Sequence, residues 1–348
     1  MIKRVATKPF GERQTNYNVA KNNLTNVTRE ENENYIRPRF FDDLIGRKRE
    51  KKIFRMLINS AKNRGKTLDH ILIYGPPGLG KTTIANIIAN ELGVNLRVTS
   101  GPALERQGDL VAILTNLKAG DILFIDEIHR IRKPVEEVLY PAMEDFKVDI
   151  IIGEGPSAQS IRMSLPKFTL IGATTRVGLL SAPLRDRFGL LHRLDFFPTQ
   201  DLEQIISRLA LHESVPIDAD AISEIAKRSR GTSRIAIRLY NRVKDYALSV
   251  LDNSLGKAIS KKMAQKALKL IGVDNLGLDD LDRKILKALV VDFEGGPVGL
   301  KTIAAAISED IGTIEDMYEP YLIRIGLIKR TSRGRVATSK AEEIIQFI

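Results

Sequence analysis

The segment GPPGLGKT at 75–82 limits what this chain can fold into more than any other feature. It satisfies the pattern G-x-x-x-x-G-K-[ST]. Ahead of it, Ile71–Tyr74 is a short apolar run that reads as a buried strand. Behind it, Ile84, Ile87, Ile88 and Leu92 recur at a helical period until Gly93 closes the helix. Strand, glycine-rich turn and helix in that order form a cradle for an anion. Gly75, Gly78 and Gly80 let the backbone approach closely and turn its N–H groups inward. The helix aims its positive end at the same point. Lys81 is expected at the β and γ phosphates of a nucleotide, and Thr82 at a magnesium ion.

Further segments complete a hydrolytic set. In ILFIDEIH at 122–129, an apolar strand ends in two carboxylates. Asp126 is expected near the magnesium, through water, and Glu127 as the general base that polarises the attacking water. A third strand ends in GATTR at 172–176, where Thr175 or its neighbour Thr174 is placed to orient that water. PLRDRF at 183–188 offers Arg185 and Arg187, either of which could reach a neighbouring subunit's γ phosphate in a ring. GTSR at 231–234 puts Arg234 at a helix start, where a cation opposes the helix dipole unless it faces an anion.

The organisation follows from the periods. Residues 1–34 are polar and asparagine-rich without a sustained apolar period, and a flexible tail is expected there. Over 35–198, helices at about 48–63, 82–92 and 110–117 alternate with strands at 71–74, 94–99, 121–125 and 169–173. That alternation predicts an α/β domain, a parallel sheet between helices. Residues 199–273 carry helical patterns alone (202–212, 219–229, 234–251 and 260–270) and predict a small all-helical domain. Over 274–348, helices near 278–289, 300–307 and 313–325, the last interrupted by Pro320, precede strands at 327–330 and 335–338 around the turn 331–334. Three helices and a hairpin outline a winged helix, a DNA-binding relative of the helix-turn-helix.

Charge points the same way. The net charge is +11 and the pI about 9.6, a balance that favours polyanions. In 321–348, Arg324, Lys329, Arg330, Arg333, Arg335 and Lys340 face only Glu342 and Glu343. The hairpin cations Arg330, Arg333 and Arg335 are the expected grip on DNA phosphates. No aromatic or amide side chain is placed to read bases, so contacts independent of sequence are expected with double-stranded DNA. The chain has no cysteine, which excludes disulfides and thiolate metal sites, and its four histidines show no metal-ligand spacing. No apolar run approaches the ~18 residues of a membrane helix. The N-terminus lacks the apolar core of a secretory signal. The cytosol is the expected compartment, with no membrane partner.

The order P-loop, DEIH, GATTR, PLRDRF and GTSR, followed by a helical lid, resembles an AAA+ ATPase. Within that superfamily the chain is most similar to the RuvB family of bacterial branch-migration motors. The segments that carry the resemblance include IRPRFFDDLIG (36–46), TSGPALERQGDL (99–110), EEVLYPAMEDF (136–146), IIGEGPSAQSI (151–161) and EPYLIRIGLIKRTSRGR (319–335). It covers the chain from about residue 36 to the C-terminus. It implies ATP and Mg2+ as ligands, and Ile36 and Arg37 beside the adenine. Gly78, Lys81, Thr82 and Thr83 would hold the phosphates, and backbone at Glu144, Asp145 and Phe146 would lie near the nucleotide. The resemblance selects Arg187 as the arginine finger acting in trans, and makes Arg234 the sensor that couples lid closure to the γ phosphate. A protruding hairpin at about 148–168 would dock a RuvA-type junction-binding protein through Ile150, Ile151 and Ile152, an apolar run that needs a cover.

The implied assembly is a homo-hexamer around duplex DNA. It would drive Holliday junctions through branch migration in recombination and repair at the bacterial nucleoid, with a RuvC-type resolvase as a further partner. Three positions depart from the family's usual pattern. Phe197 stands for a tyrosine, which keeps stacking and loses a hydroxyl contact to nucleotide. Ser233 replaces a proline, and Arg47 a glutamine. Alternatives are an initiator-type DNA-binding switch, which also joins an AAA+ core to a winged helix, and a clamp-loader-like factor, which needs no winged helix.

Overall fold

A computed structural model describes residues 37–152, 159–250 and 257–346, without the side chains of 150–152, 159, 160 and 346. The tail 1–34 lies outside the described residues. The chain divides into two units, Met1–Pro38 and Arg39–Ile348, and every element below belongs to the second.

Helix α1 (Lys48–Arg64) leads to β1 (Ile71–Tyr74), then α2 (Lys81–Leu92), β2 (Leu96–Ser100), α3 (Gln107–Thr115), β3 (Ile122–Asp126) and α4 (Lys133–Glu144). After the β4–β5 hairpin (Lys147–Ile152, Gln159–Ser164) come β6 (Thr169–Thr174), α5 (Ala182–Asp186) and β7 (Leu190–Arg193). The sheet has the order β2-β3-β6-β1-β7 and is parallel throughout. All of β6, and the apolar stretches of β1 and β3, are buried, which is why they read as unbroken apolar runs. On the edge, β2 is largely open and Val98 is exposed.

Some elements escape the sequence periods. Helix α4 carries Pro134 in its first turn and Pro141 inside, yet buries Val135, Leu139, Ala142 and Met143. The first proline occupies a turn whose N–H groups need no helical partner. Strand β7 is only LLHR, too short and polar to stand out, and β2 and β3 start later than their patterns predict. In the hairpin, Val148 is buried while its cross-strand partner Met163 and nearby Ile161 are exposed. The side chains of Ile150, Ile151 and Ile152, expected to bind a partner, lie outside the described residues.

The lid comprises α6 (Thr199–His212), α7 (Ala219–Lys227), α8 (Ser233–Val250) and α9 (Lys261–Leu270). Tyr240 is fully buried among them and donates its hydroxyl to Glu213 (3.0 Å). The winged helix follows as α10 (Asp280–Lys287) and α11 (Leu300–Ile307). The helix expected over 313–325 then runs without a break from Ile311 to Arg324; Ile314–Tyr318 is wound as a π-helix just ahead of Pro320, and α12 (Glu319–Arg324) is its last stretch. Strands β8 (Ile328–Thr331) and β9 (Gly334–Ala337) form the wing, and a further helix, α13 (Ser339–Gln346), ends the described chain. A backbone bridge between Val298 and Arg335 adds a third edge to the wing. Gly334 (φ 141°) is required there, because a Cβ would meet the Val298 carbonyl oxygen. No helix among the described residues is long and apolar enough to cross a membrane.

Lid and winged helix are joined by buried charge. Arg228 bonds Glu224 (2.5 Å), Asn275 (2.9 Å) and the Val273 carbonyl (3.3 Å). Arg230 bonds the Gly277 carbonyl (2.8 Å), pairs with Asp279 (3.0 Å) and Asp282, and lies near the rings of Tyr318 and Tyr321. Asp282 is fully buried. Burial raises its pKa from 3.8 to about 7, with Asp279 adding and Arg230 opposing. Between those values the folded chain holds a proton that the unfolded chain has released, so this group's contribution to stability falls as pH rises from about 4 to about 7. In Asp282→Asn that slope should disappear. Melting curves of both proteins across the window would check it, and parallel curves would contradict it.

Candidate active site

The sheet order sets β3, β6 and β1 side by side, so their carboxyl ends meet at the crevice where strand order reverses, the position at which such sheets bind ligands. The loop Gly75–Gly80 leaves β1 at that crevice. Its first N–H bonds the Thr174 carbonyl of β6 (3.2 Å). Gly80 (φ 89°) precedes α2, which opens at Lys81 and puts Thr82 and Thr83 in its first turn. Lys81 is 8% exposed. Its Nζ donates to the carbonyls of Gly75 (2.8 Å) and Pro76 (3.1 Å) and so stands over the loop. Burial lowers its pKa, Glu127 and Asp126 act against that shift, and Arg234 adds to it. Two acids and two cations from separate elements thus share one field.

Asp126 ends β3, and its Oδ1 accepts the Glu127 N–H (2.9 Å). Glu127 has left-handed backbone (φ 47°), a strained conformation for a residue with a side chain, costing ~1–2 kcal/mol. Such strain turns the carboxylate off the strand axis. Glu127 Oε2 lies 3.2 Å from the Thr175 hydroxyl and 3.2 Å from His129 Nδ1. Thr174 is fully buried, and its hydroxyl meets His129 Nδ1 at 2.8 Å. Of the two threonines, Thr175 therefore contacts the acid and Thr174 supports the imidazole. Burial lowers the His129 pKa against the pull of Glu127. Sequence spacing passed over His129. The signal was its place two residues after Glu127.

The lid closes on the loop from the other side. The Ser233 hydroxyl donates to the Gly78 carbonyl (3.1 Å), and the Arg234 N–H approaches the same oxygen (3.5 Å). A Cβ on Gly78 (φ 77°) would lie 3.0 Å from that of Arg234. Ser233 supplies a donor that the proline expected from the resemblance would lack. Arg47 was missed as a site residue. It is buried and donates to the carbonyls of Leu79 (3.1 Å) and Asp195 (2.7 Å). Its guanidinium also lies 4.1 Å over the Phe197 ring. Phe197, where nucleotide stacking is expected, is 5% exposed, and Arg47 holds one face of its ring.

Other expected residues gather elsewhere. Arg187 pairs with Glu144 (3.2 Å), donates to the Pro183 carbonyl (2.6 Å) and lies 4.4 Å over the Tyr140 ring. Asp145 caps α4 and Phe146 packs on Phe168 and His70. Among the described residues no hydrogen bond or ion pair joins Arg187 or Glu144 to Gly75–Thr82. Arg37, exposed, is the first described residue and belongs to the N-terminal unit, and Ile36 lies outside the described residues.

On the wing, Arg333 is exposed at the turn, and Arg330 is exposed with one contact to Glu315 (3.3 Å). Arg335 is not free for phosphate. Its guanidinium makes two parallel bonds of 2.9 Å to Glu319, which is 3% exposed. A carboxylate buried in the domain needs that cation, so the third expected DNA contact becomes a structural pair.

Two substitutions test the hydrolytic geometry. Glu127→Gln should cut ATP turnover by about 10²–10⁴ while nucleotide still binds. Thr175→Val removes one bond to a charged group and should cost roughly 10-fold or more. Turnover at the wild-type level in either variant, with ATP binding measured in parallel, would break the assignment.

Three family models match along the chain in order. They are the Holliday junction DNA helicase RuvB P-loop domain over residues 36–194, the RuvB AAA lid domain over 197–274, and the RuvB C-terminal winged helix domain over 275–346. Among solved structures, the RuvB Holliday junction branch migration motor of Thermotoga maritima is 47% identical with a TM-score of 0.82. The match covers 90% of this chain and 98% of that one. Lysine-to-arginine and alanine-to-serine variants of RuvB from the same organism match at 48% identity with the same TM-score and coverage. Consecutive domains of one family, in that family's order and joined at a nucleotide crevice, make this chain a member of the RuvB family of Holliday junction DNA helicases.

Proposed function

We propose that this chain is the subunit of a ring, a homo-hexamer, that uses ATP hydrolysis to drive branch migration along duplex DNA. The observation that carries this reading is a division of labour. Lys81, Glu127, Thr175 and Arg234 converge on one crevice, while Arg187 is held by Glu144, Pro183 and Tyr140 and makes no bond to Gly75–Thr82 among the described residues. A finger with no bond to its own loop is available to a neighbour's nucleotide.

The residues suggest the following steps. Backbone N–H groups of 75–80 and the start of α2 bind the phosphates, and Lys81 stands at the β and γ positions. Mg2+ fits the oxygen donors present, the Thr82 hydroxyl and the Asp126 carboxylate, whose Oδ2 makes no bond to described residues. When bound it would neutralise charge between the β and γ phosphates. Glu127 takes the proton of the attacking water, held in place by Thr175. The neighbour's Arg187 stabilises charge on the transferred phosphoryl group. Arg234 and Ser233, bonded to the loop at Gly78, carry the change in the nucleotide to the lid. The lid's Arg228 and Arg230 carry it on to the winged helix.

At the wing, Arg330 and Arg333 hold phosphates without regard to sequence, as a motor on arbitrary DNA requires. The β4–β5 hairpin exposes Ile161 and Met163 and suits docking of a RuvA-type junction-binding protein, with a RuvC-type resolvase acting on the product.

A synthetic four-way junction tests the whole reading. Arms should separate only when protein, ATP, Mg2+ and a RuvA-type protein are all present, and separation without ATP would sink it. Arg187→Ala should lose about 10³–10⁵ in turnover and regain part of it when mixed with Glu127→Gln subunits. Failure to regain any would exclude action in trans. Arg333→Glu should weaken binding equally for all duplexes and lower the salt slope by about 1 or more.

A further inference from the structure

Arg176 directly follows Thr175, and its side chain leaves the ATPase domain. Its Nε donates to Asp316 Oδ1 (2.7 Å), and its Nη2 lies 3.3 Å from Glu315 Oε2. Both acids sit on Ile314–Tyr318 of the winged helix. Glu315 uses its other oxygen, Oε1, to accept from Arg330 of the wing (3.3 Å). Toward the crevice, the Arg176 N–H donates to the Thr174 hydroxyl (3.0 Å), and the Thr175 hydroxyl donates to Glu127 (3.2 Å). A short, continuous run of polar contacts therefore joins the general base to an exposed cation on the wing, within one subunit and without passing through the lid. Electrostatics agree with the geometry. After burial and Glu127, the charges that act most on His129 are those of Arg176 and Asp316.

We propose that Arg176 is a positioning residue that couples DNA held at the wing to ATP hydrolysis in the same subunit, through Glu315 and Asp316. The proposal rests on the reading of Arg330 as a phosphate contact. The Arg330–Glu315 pair is exposed, with 58% and 32% of the two side chains accessible, and such a pair holds weakly. A DNA phosphate brings the same charge together with counterion release, so it displaces Glu315 from Arg330. Glu315 is then left with Arg176 as its only cation among the described residues. Arg176 is drawn toward the winged helix, and the backbone that carries it also carries Thr174 and Thr175. DNA at the wing thereby changes how Thr175 holds Glu127.

Asp316 lies outside the nucleotide crevice and does not touch the wing cations, so Asp316→Asn is the probe. Four proteins are compared as full chains: wild type, Asp316→Asn, Arg176→Ala and the double variant. ATPase rate is read with and without saturating duplex DNA, and DNA affinity is read separately by anisotropy. Asp316→Asn should keep the DNA-free rate and the DNA affinity, yet lower the stimulation by DNA about 5-fold. The double variant should be no worse in that ratio than Arg176→Ala alone, because both remove one link. Arg176→Lys, which keeps a cation, should restore part of the ratio. Full stimulation in Asp316→Asn would overturn the coupling and leave the motor reading intact. Loss of DNA affinity together with stimulation would overturn it as well, since Asp316 would then merely support the wing. A wild type that DNA does not stimulate would overturn the motor reading and the coupling with it.

Discussion

The adjacency of three strand ends is the constraint on which the remainder depends. Because β6 lies between β3 and β1, the loop after β1, the acids after β3 and the threonines at the end of β6 open into one crevice. Chain order separates them widely, and only the parallel crossover connections bring them together. The same packing buries Lys81 and gives its ammonium two carboxylates within electrostatic reach. In that low-dielectric setting each charge acts more strongly than it would in water. Lid and winged helix are arranged around this point, through Ser233 at Gly78 and Arg176 beside Thr175.

Much of this was legible in the sequence, for a physical reason. Strands buried on both faces leave continuous apolar runs, and a phosphate loop must spend glycines at fixed places, so 71–82 and 122–127 declare themselves. The elements that stayed hidden are those whose local signal runs against their final state. Pro141 sits inside α4 because tertiary packing of Leu139 and Met143 outweighs the lost bond. LLHR becomes β7 because β1 offers a free edge, which no local period records. Side-chain roles were harder still. Nothing in RTSRGR distinguishes Arg335 from Arg333. The difference lies in Glu319, near in space because α12 packs under the wing.

Arg47, Phe197 and Ser233, singled out in the sequence, fit together in the fold. Arg47 fills the face of Phe197 and ties Leu79 to Asp195, so the loop, the strand exit and the ring before the lid are pinned by one guanidinium. Ser233 adds a donor to the same loop at Gly78. Phe197, which carries no hydroxyl, thus has polar contacts beside it on each side of the loop. Interactions of this kind are coupled, so the effect of changing any one of these residues depends on its neighbours.

The parking of Arg187 has an entropic consequence. A free arginine carries about 2 kcal/mol of rotamer freedom that an interface must freeze before the guanidinium can work. Here Tyr140, Pro183 and Glu144 have already frozen most of it inside the subunit. A neighbour docking against this face, as proposed above, would meet a charge already set in place, and the ordering cost would fall on folding rather than on assembly. In the ring proposed above, subunits would exchange or close around a duplex without having to reorganise the residue that completes each site.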